Sequence, residues 1–276
     1  MPPTLPGPLI ALRPVSSAGQ IFLEVAVAVA IAALVGVAVR IRRRWGTSMG
    51  FVVLLATLFG SGVEVVYNTA ANFWYYQPHT DALFGTWGRS LPAWALGSYA
   101  PFYGGLGLLG WWLIERGATR ARIAAYAAGV WVFAVVTEVV LVGIHVYAYY
   151  GPQPYRIAGF PIWTAAANAA ICTLVAVGAA RLSRVTGGPR QWLLIAAGPP
   201  LVSSCLIGTT FPMVSVLHAA HPTTLALYIA GAAATVLAAL VIVMAVSLIP
   251  RDGLADSLIP VSVAASRPAK LVGMSG

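Results

Sequence analysis

The stretch IFLEVAVAVAIAALVGVAVRIRRRW, Ile21–Trp45, decides the class of fold. Its first part, Ile21–Val39, is apolar apart from Glu24, and its last part carries Arg40, Arg42, Arg43 and Arg44. An α-helix rises about 1.5 Å per residue, so a run of this length covers most of a hydrocarbon core about 30 Å thick. The arginines behind it form the kind of cluster that holds a helix end on the cytoplasmic side of a membrane. Glu24 falls near the opposite end, where water is close.

The same alternation of apolar run and basic cluster continues along the chain. Of the 276 residues, 59% are hydrophobic and 8% are charged, and the mean hydropathy is +0.85. A soluble domain carries about a quarter charged residues. Further spans are expected over Met49–Asn68, Pro92–Ile114, Ile123–Tyr147, Pro161–Ala180, Trp192–Leu217 and Leu225–Ile249. The expected fold is therefore an all-α, polytopic bundle of seven transmembrane helices over residues 21–249. An N-terminal tail over residues 1–20 precedes it, without the charged and then apolar pattern of a cleaved signal peptide, and a polar tail over residues 250–276 follows.

Thirteen of the 16 basic residues fall on one side of seven alternating spans, and Arg13, Arg89 and Arg156 fall on the other. The positive-inside rule then places the N-terminus outside and the C-terminus in the cytoplasm of a multi-pass cell-membrane protein. The net charge of +9 is accounted for by these clusters, so no nucleic-acid partner is expected. The lipid bilayer and a lipophilic small molecule are the expected partners, and the oligomeric state is left open. Cys172 and Cys205 both lie within apolar spans and read as small buried hydrophobes.

Two segments echo each other: EVVYNTAANFWYY, Glu64–Tyr76, and EVVLVGIHVYAYY, Glu138–Tyr150. The likeness continues through YYQP and YYGPQP, and through LPAW (Leu91–Trp94) and FPIW (Phe160–Trp163). Spans two and three thus resemble spans four and five. Both pairs would run in the same direction, as a parallel repeat about an axis along the membrane normal. Each glutamate lies about 15 residues, or roughly 22 Å, from the cytoplasmic end of its span. Two carboxyl groups at one depth in the outer third of a bilayer are costly and call for a function or a partner.

Helical spacing gathers further polar residues around them. Asn68 is four positions from Glu64 and shares its face, and Tyr75 continues that stripe if the helix persists. From Glu138 the stripe runs to His145 and Tyr149. Asn168 sits about two turns into span five, Tyr99 holds the matching place in span three, and Thr209 and Thr210 lie in span six. An aromatic roof of Phe73, Trp74, Tyr75, Tyr76, Trp87, Tyr147, Tyr149 and Tyr150 would cover this layer. Glu64 and Glu138 are the candidate catalytic pair. Asn68, Asn72, Trp74, Tyr75, Tyr99, His145, Tyr149 and Asn168 are the candidate substrate-binding or orienting residues. Each has a structural alternative: interhelical hydrogen bonding for the asparagines, an interfacial site for His145, and a membrane aromatic belt for the tryptophans and tyrosines. The glycines of GGLGLLG, Gly104–Gly110, read as close helix packing.

A desolvated carboxyl group can stay protonated near neutral pH and donate its proton, while a second carboxylate takes one away. Aromatic faces can stabilise a cation developing between them. Dehydration, cyclisation and double-bond isomerisation of a greasy substrate fit this layout. No metal-ligand spacing, nucleophile elbow, P-loop or redox-cofactor motif occurs, so no metal or cofactor is expected.

The acid at the end of a span, the Asn- and aromatic-rich connection with FWYY and TWGRSLPAW, and the block TEVVLVGIHVYAYYGPQPYRIAGFPIW together resemble the AveC-like spirocyclase family of actinobacterial integral membrane proteins. The resemblance covers about residues 60–163. It implies dehydration and spiroketal formation on a polyketide. The chain departs from that pattern at Ala166 and Asn168, where an acidic residue would be expected. The layout is also similar to small integral-membrane terpene cyclases, which act on isoprenoid epoxides or alkenes. A proton-coupled transporter and a non-catalytic membrane subunit or sensor are the alternatives from other classes. A retinal-binding rhodopsin is excluded, because span seven has no lysine for a Schiff base.

Overall fold

The computed structural model describes residues 17–75, 82–86 and 89–250, with the backbone alone described for 17, 82–86, 89 and 90. Most of both expected tails, together with Tyr76 and Trp87 of the expected roof, lies outside the described residues. The chain is an all-α membrane bundle. Among the described residues, six helical segments are long and apolar enough to cross a membrane, Met49–Ala70 being one of them.

Helix α1 spans Ser17–Trp45, and α2 spans Met49–Gly60. A 3-10 turn, Ser61–Val63, joins α2 to α3, Glu64–Ala70. After the short strands β1 (Phe73–Tyr75), β2 (Ala82–Thr86) and β3 (Arg89–Pro92), the chain turns helical again in α4, Ala93–Gly97. A π-helical turn, Ala100–Gly105, then leads into α5, Leu106–Glu115. Pro101 lies in that turn. Proline lacks the N–H of a regular helix and crowds the preceding turn, and a π turn is one way to absorb both effects. Helix α6 is Arg120–Gly143, followed by the strands β4 (Tyr147–Tyr149), β5 (Arg156–Ile157) and β6 (Phe160–Pro161). The last three helices are α7 (Ile162–Val185), α8 (Gly198–Leu217) and α9 (Thr224–Ser247), with a 3-10 segment, Gly188–Ala197, leading into α8. Thr119 and Thr223 accept backbone N–H groups at the starts of α6 and α9, as N-cap side chains do.

Helix α7 is the axis of the bundle and packs against α5, α6, α8 and α9. Its run of small residues, TAAANAA at Thr164–Ala170, is buried along its length, because small side chains let helix backbones approach in lipid. The glycines of α5 serve the same end. A Cβ on Gly107 would come within 2.4 Å of Val175, and one on Gly110 within 2.7 Å of Ala176. Cys172 and Cys205 are free and buried. At the basic end of the bundle, Arg184 of α7 meets the wholly buried Glu115 of α5 at 3.1 Å. Arg120 ties α6 to the end of α9 through the carbonyls of Ile249 and Ser247, at 2.5 and 2.7 Å.

Strands β1 and β4 pair antiparallel, with Phe73 opposite Tyr149, Trp74 opposite Ala148 and Tyr75 opposite Tyr147. The two echoing segments of the sequence meet here. Each reaches its strand through a residue with left-handed backbone, Asn72 at φ 52° and His145 at φ 57°.

Candidate functional site

A cavity of about 360 Å³ lies beneath this strand pair, and Glu64 and Glu138 both line it. Glu64 is buried at the start of α3, directly after the 3-10 turn. Its carboxylate is held from several sides. Tyr75 donates to Oε1 at 2.7 Å and Tyr99 donates to Oε2 at 2.5 Å. The Asn68 amide, with its nitrogen turned towards the carboxylate, donates to Oε1 at 2.9 Å. Glu138, near the end of α6, accepts a hydrogen bond on Oε2 from the Tyr147 hydroxyl. On the facing helix Asn168 accepts from Tyr103 at 2.7 Å.

Aromatic rings form the walls. Phe73 sits among Tyr75, Tyr147 and Tyr149, with ring centroids 4.8, 4.5 and 5.0 Å away. Tyr99 and Tyr103 pack edge to face at 4.9 Å, and Tyr75 packs edge to face on Trp94 at 5.5 Å. Burial, and after it the neighbouring Glu64 charge, holds the Tyr75 phenol well above its ordinary range. Burial does the same for Tyr149, reinforced by Glu138. Both are therefore standing hydrogen-bond donors at neutral pH. The Tyr67 side chain also lines the cavity, and its buried hydroxyl has no hydrogen-bond partner among the described residues.

Leu23 and Val27 of α1 line one flank of the cavity, and Phe133, Thr137 and Leu141 of α6 line the other. Helices α1 and α6 do not pack along each other, and Phe133 is 49% exposed. The cavity thus has a flank facing the surroundings of the bundle rather than its core.

The structure gathers Glu64, Tyr75, Tyr99, Glu138, Tyr149 and Asn168 on the cavity wall, with Asn68 directly behind Glu64. Tyr75 reaches Glu64 by a route the helical stripe did not anticipate. The helix stops at Ala70, and the turn at Asn72 swings the strand back over the carboxylate. The same kind of turn removes His145 from the expected stripe. Helix α6 ends at Gly143, and His145 lies exposed in the turn, off the cavity wall. Asn72 and Trp74 are also off the wall: Asn72 sits in the turn, where Gly151 lies against its amide, and Trp74 alternates to the other strand face and packs on Tyr150. Thr209 and Thr210 turn their hydroxyls back to the carbonyls of Cys205 and Leu206, both at 2.7 Å, instead of joining a polar layer. This is the usual resort of a buried helical threonine. Tyr67 and Tyr103 were not singled out by sequence. Each was signalled by helical spacing, Tyr67 three positions after Glu64 and Tyr103 four after Tyr99.

Among the described residues, no group of three or more His, Cys, Asp or Glu side chains is placed to hold a metal ion. Comparison of the chain with known protein families, with curated proteins and with solved structures finds no match.

Proposed function

We propose that this protein is an integral membrane enzyme that cyclises, dehydrates or isomerises a lipophilic substrate by acid–base chemistry. The observation that carries the reading is the placement of Glu64 and Glu138 on one apolar cavity, each carboxyl group anchored by a buried tyrosine hydroxyl. Glu64 faces three donors, a setting that suits a fixed anion able to stabilise positive charge and take a proton. Glu138 has the phenol of Tyr147 and the open cavity beside it, a setting that suits proton donation. In this scheme Glu138 protonates a hydroxyl, carbonyl, epoxide or alkene. Phe73, Tyr99 and Trp94 face the developing cation, and Glu64 removes a proton from the adjacent atom. The net change is isomerisation or loss of one water, with no electron transfer. The gap between α1 and α6 supplies access from the lipid phase.

The resemblance to AveC-like spirocyclase proteins favours a polyketide substrate; the likeness to membrane terpene cyclases favours an isoprenoid. Seven crossings are supported by the helical stretch Ala93–Glu115 in addition to the six membrane-length helical segments among the described residues, and the basic clusters favour an N-terminus outside. The parallel repeat is supported by the register of β1 and β4. Trp74 pairs with Ala148, and these two are as far apart in sequence as Glu64 and Glu138. A ladder centred on equivalent positions is what a local two-fold axis requires.

A proton-coupled transporter is the second reading. It is favoured by the interruptions of helix at Ser61–Val63 and Ala100–Gly105 beside the cavity, since broken helices mark many transport sites.

The test compares lipid extracts by mass spectrometry from a parent strain, a deletion, and deletions carrying wild type, Glu64→Gln or Glu138→Gln. The enzyme reading expects the deletion to accumulate a precursor isomeric with the missing product or differing from it by one water, and both expressed Gln variants to accumulate it too. Indistinguishable extracts, or full restoration by the Gln variants, would overturn it.

A further inference from the structure

At the basic end of the bundle, away from the two glutamates, α1 and α5 are separated by a groove of about 420 Å³. Arg40 and Arg44 of α1 and Arg116, at the end of α5, stand at its mouth, and all three are exposed. Its inner wall is apolar, with Leu34 on one side and Leu109 and Trp112 on the other. Helix α1 packs on α2, on α4 and on the π turn, but not along α5. The ring contact of Trp45 with Trp111, at 6.2 Å between centroids, bridges the gap.

The charges at this mouth are unbalanced. Arg40 and Arg44 are four positions apart on one helix face, where like charges repel. Arg116 lies over the Trp112 ring at 4.9 Å, which directs its guanidinium along the groove wall. Among the described residues the carboxylate at this end is Glu115, and it is buried against Arg184. An anion at this mouth would balance the rim arginines. Arginine guanidinium groups match phosphate oxygens with paired N–H donors. Leu34 lies about 15 Å along α1 from Arg44, so the same groove runs from a cationic rim into the hydrocarbon zone.

We propose that this groove is a binding site for an anionic phospholipid. The phosphate sits among Arg40, Arg44 and Arg116, and one acyl chain lies along Leu34 and Leu109 between α1 and α5. Rim charge and apolar depth on one surface are the complement of a lipid, and a free phosphate would leave the inner wall unfilled. The site is independent of the reaction proposed above. Its ligand would seat α1, which also forms one flank of the glutamate cavity.

The test uses the purified full-length protein, delipidated in detergent, and follows its thermal midpoint as lipid is added. The arms are phosphatidylglycerol, phosphatidylcholine, and glycerol phosphate at matched phosphate concentration. Phosphatidylglycerol alone should raise the midpoint. In the triple variant Arg40→Gln/Arg44→Gln/Arg116→Gln the concentration giving half the effect should rise by at least about tenfold, since each arginine near a lipid headgroup contributes a factor of about five. The control variant Arg42→Gln/Arg122→Gln/Arg181→Gln removes the same charge outside the groove and should keep the response. Native mass spectrometry of wild type against Arg44→Gln alone, counting retained phosphatidylglycerol, gives a reading that does not depend on the triple variant folding. Equal effects of phosphatidylcholine, an equal response to glycerol phosphate, an equal loss in the control variant, or undiminished lipid retention by Arg44→Gln would each overturn the proposal.

Discussion

Tyr75 and Tyr147 stand opposite each other across β1 and β4, and their hydroxyls go to different glutamates, Tyr75 to Glu64 and Tyr147 to Glu138. Their rings lie 5.9 Å apart. One two-stranded ladder therefore fixes both carboxyl groups, so displacing either strand disturbs both halves of the site. The coupling should be measurable. Tyr75→Phe and Tyr147→Phe each remove a hydrogen bond to a carboxyl group, worth about 1.5–3 kcal/mol. Each should slow product formation by roughly 10- to 100-fold. The double variant should lose less than the product of the two, because residues sharing one network are not additive. Initial rates in proteoliposomes check this; full additivity would mean the ladder does not couple the two acids.

Tyr67 offers a different signature. Its hydroxyl is buried on the cavity wall without a partner among the described residues, and an unsatisfied buried hydroxyl costs stability. Tyr67→Phe should leave the thermal midpoint unchanged or raise it, while weakening substrate binding by about 1 kcal/mol, or roughly fivefold in KM. A lowered midpoint with unchanged KM would show that the hydroxyl has a structural partner instead.

The flank between α1 and α6 predicts a steric effect. Thr137→Trp should fill the space beside Leu23 and Val27, which line the cavity from the facing helix. Substrate capture, read as kcat/KM, should fall by about tenfold or more, with the midpoint unchanged. The same variant should lose no activity if the substrate arrives from the aqueous side.

Arg184 and Glu115 test the packing of the central helix. Removing one partner of a buried pair strands the other charge, which costs about 3–5 kcal/mol. Arg184→Gln should lower the thermal midpoint markedly, because Glu115 is fully buried. Arg184→Leu with Glu115→Leu should recover most of the loss, since a well-packed apolar pair replaces such a bridge at little net cost. A midpoint for Arg184→Gln equal to wild type would place the stability elsewhere.

The alkaline limb has a definite sign. Burial and the Glu64 charge raise the Tyr75 phenol above its ordinary value of 10.0 in the folded chain. The protonated phenol is thus favoured by folding. Its contribution is complete below about pH 10 and is lost as pH rises further, when the unfolded chain ionises first. Thermal midpoints from pH 9 to 11 should fall above pH 10, and Tyr75→Phe should flatten that fall. A slope unchanged by the substitution would assign it to other groups.

By itself the sequence determined the class of fold and singled out the two glutamates that share one cavity. Hydropathy over about 20 residues is a local property, and an isolated carboxyl group in an apolar run is visible without knowing its neighbours. Asn68 was legible for the same reason, because a four-residue step within one helix turn is local geometry. What decorates the acids was decided elsewhere. Helix α6 stops at Gly143 and a left-handed turn follows at His145, so a stripe drawn on one uninterrupted helix lost His145. The partner of Glu138 is Tyr147, although the equivalent of Tyr75 in the echoing segment is Tyr149. Only the tertiary structure makes that choice, because it follows from the register between strands about 70 positions apart in sequence. The period of a strand is two, and a shift of one residue would have turned Phe73 and Tyr75 away from the cavity.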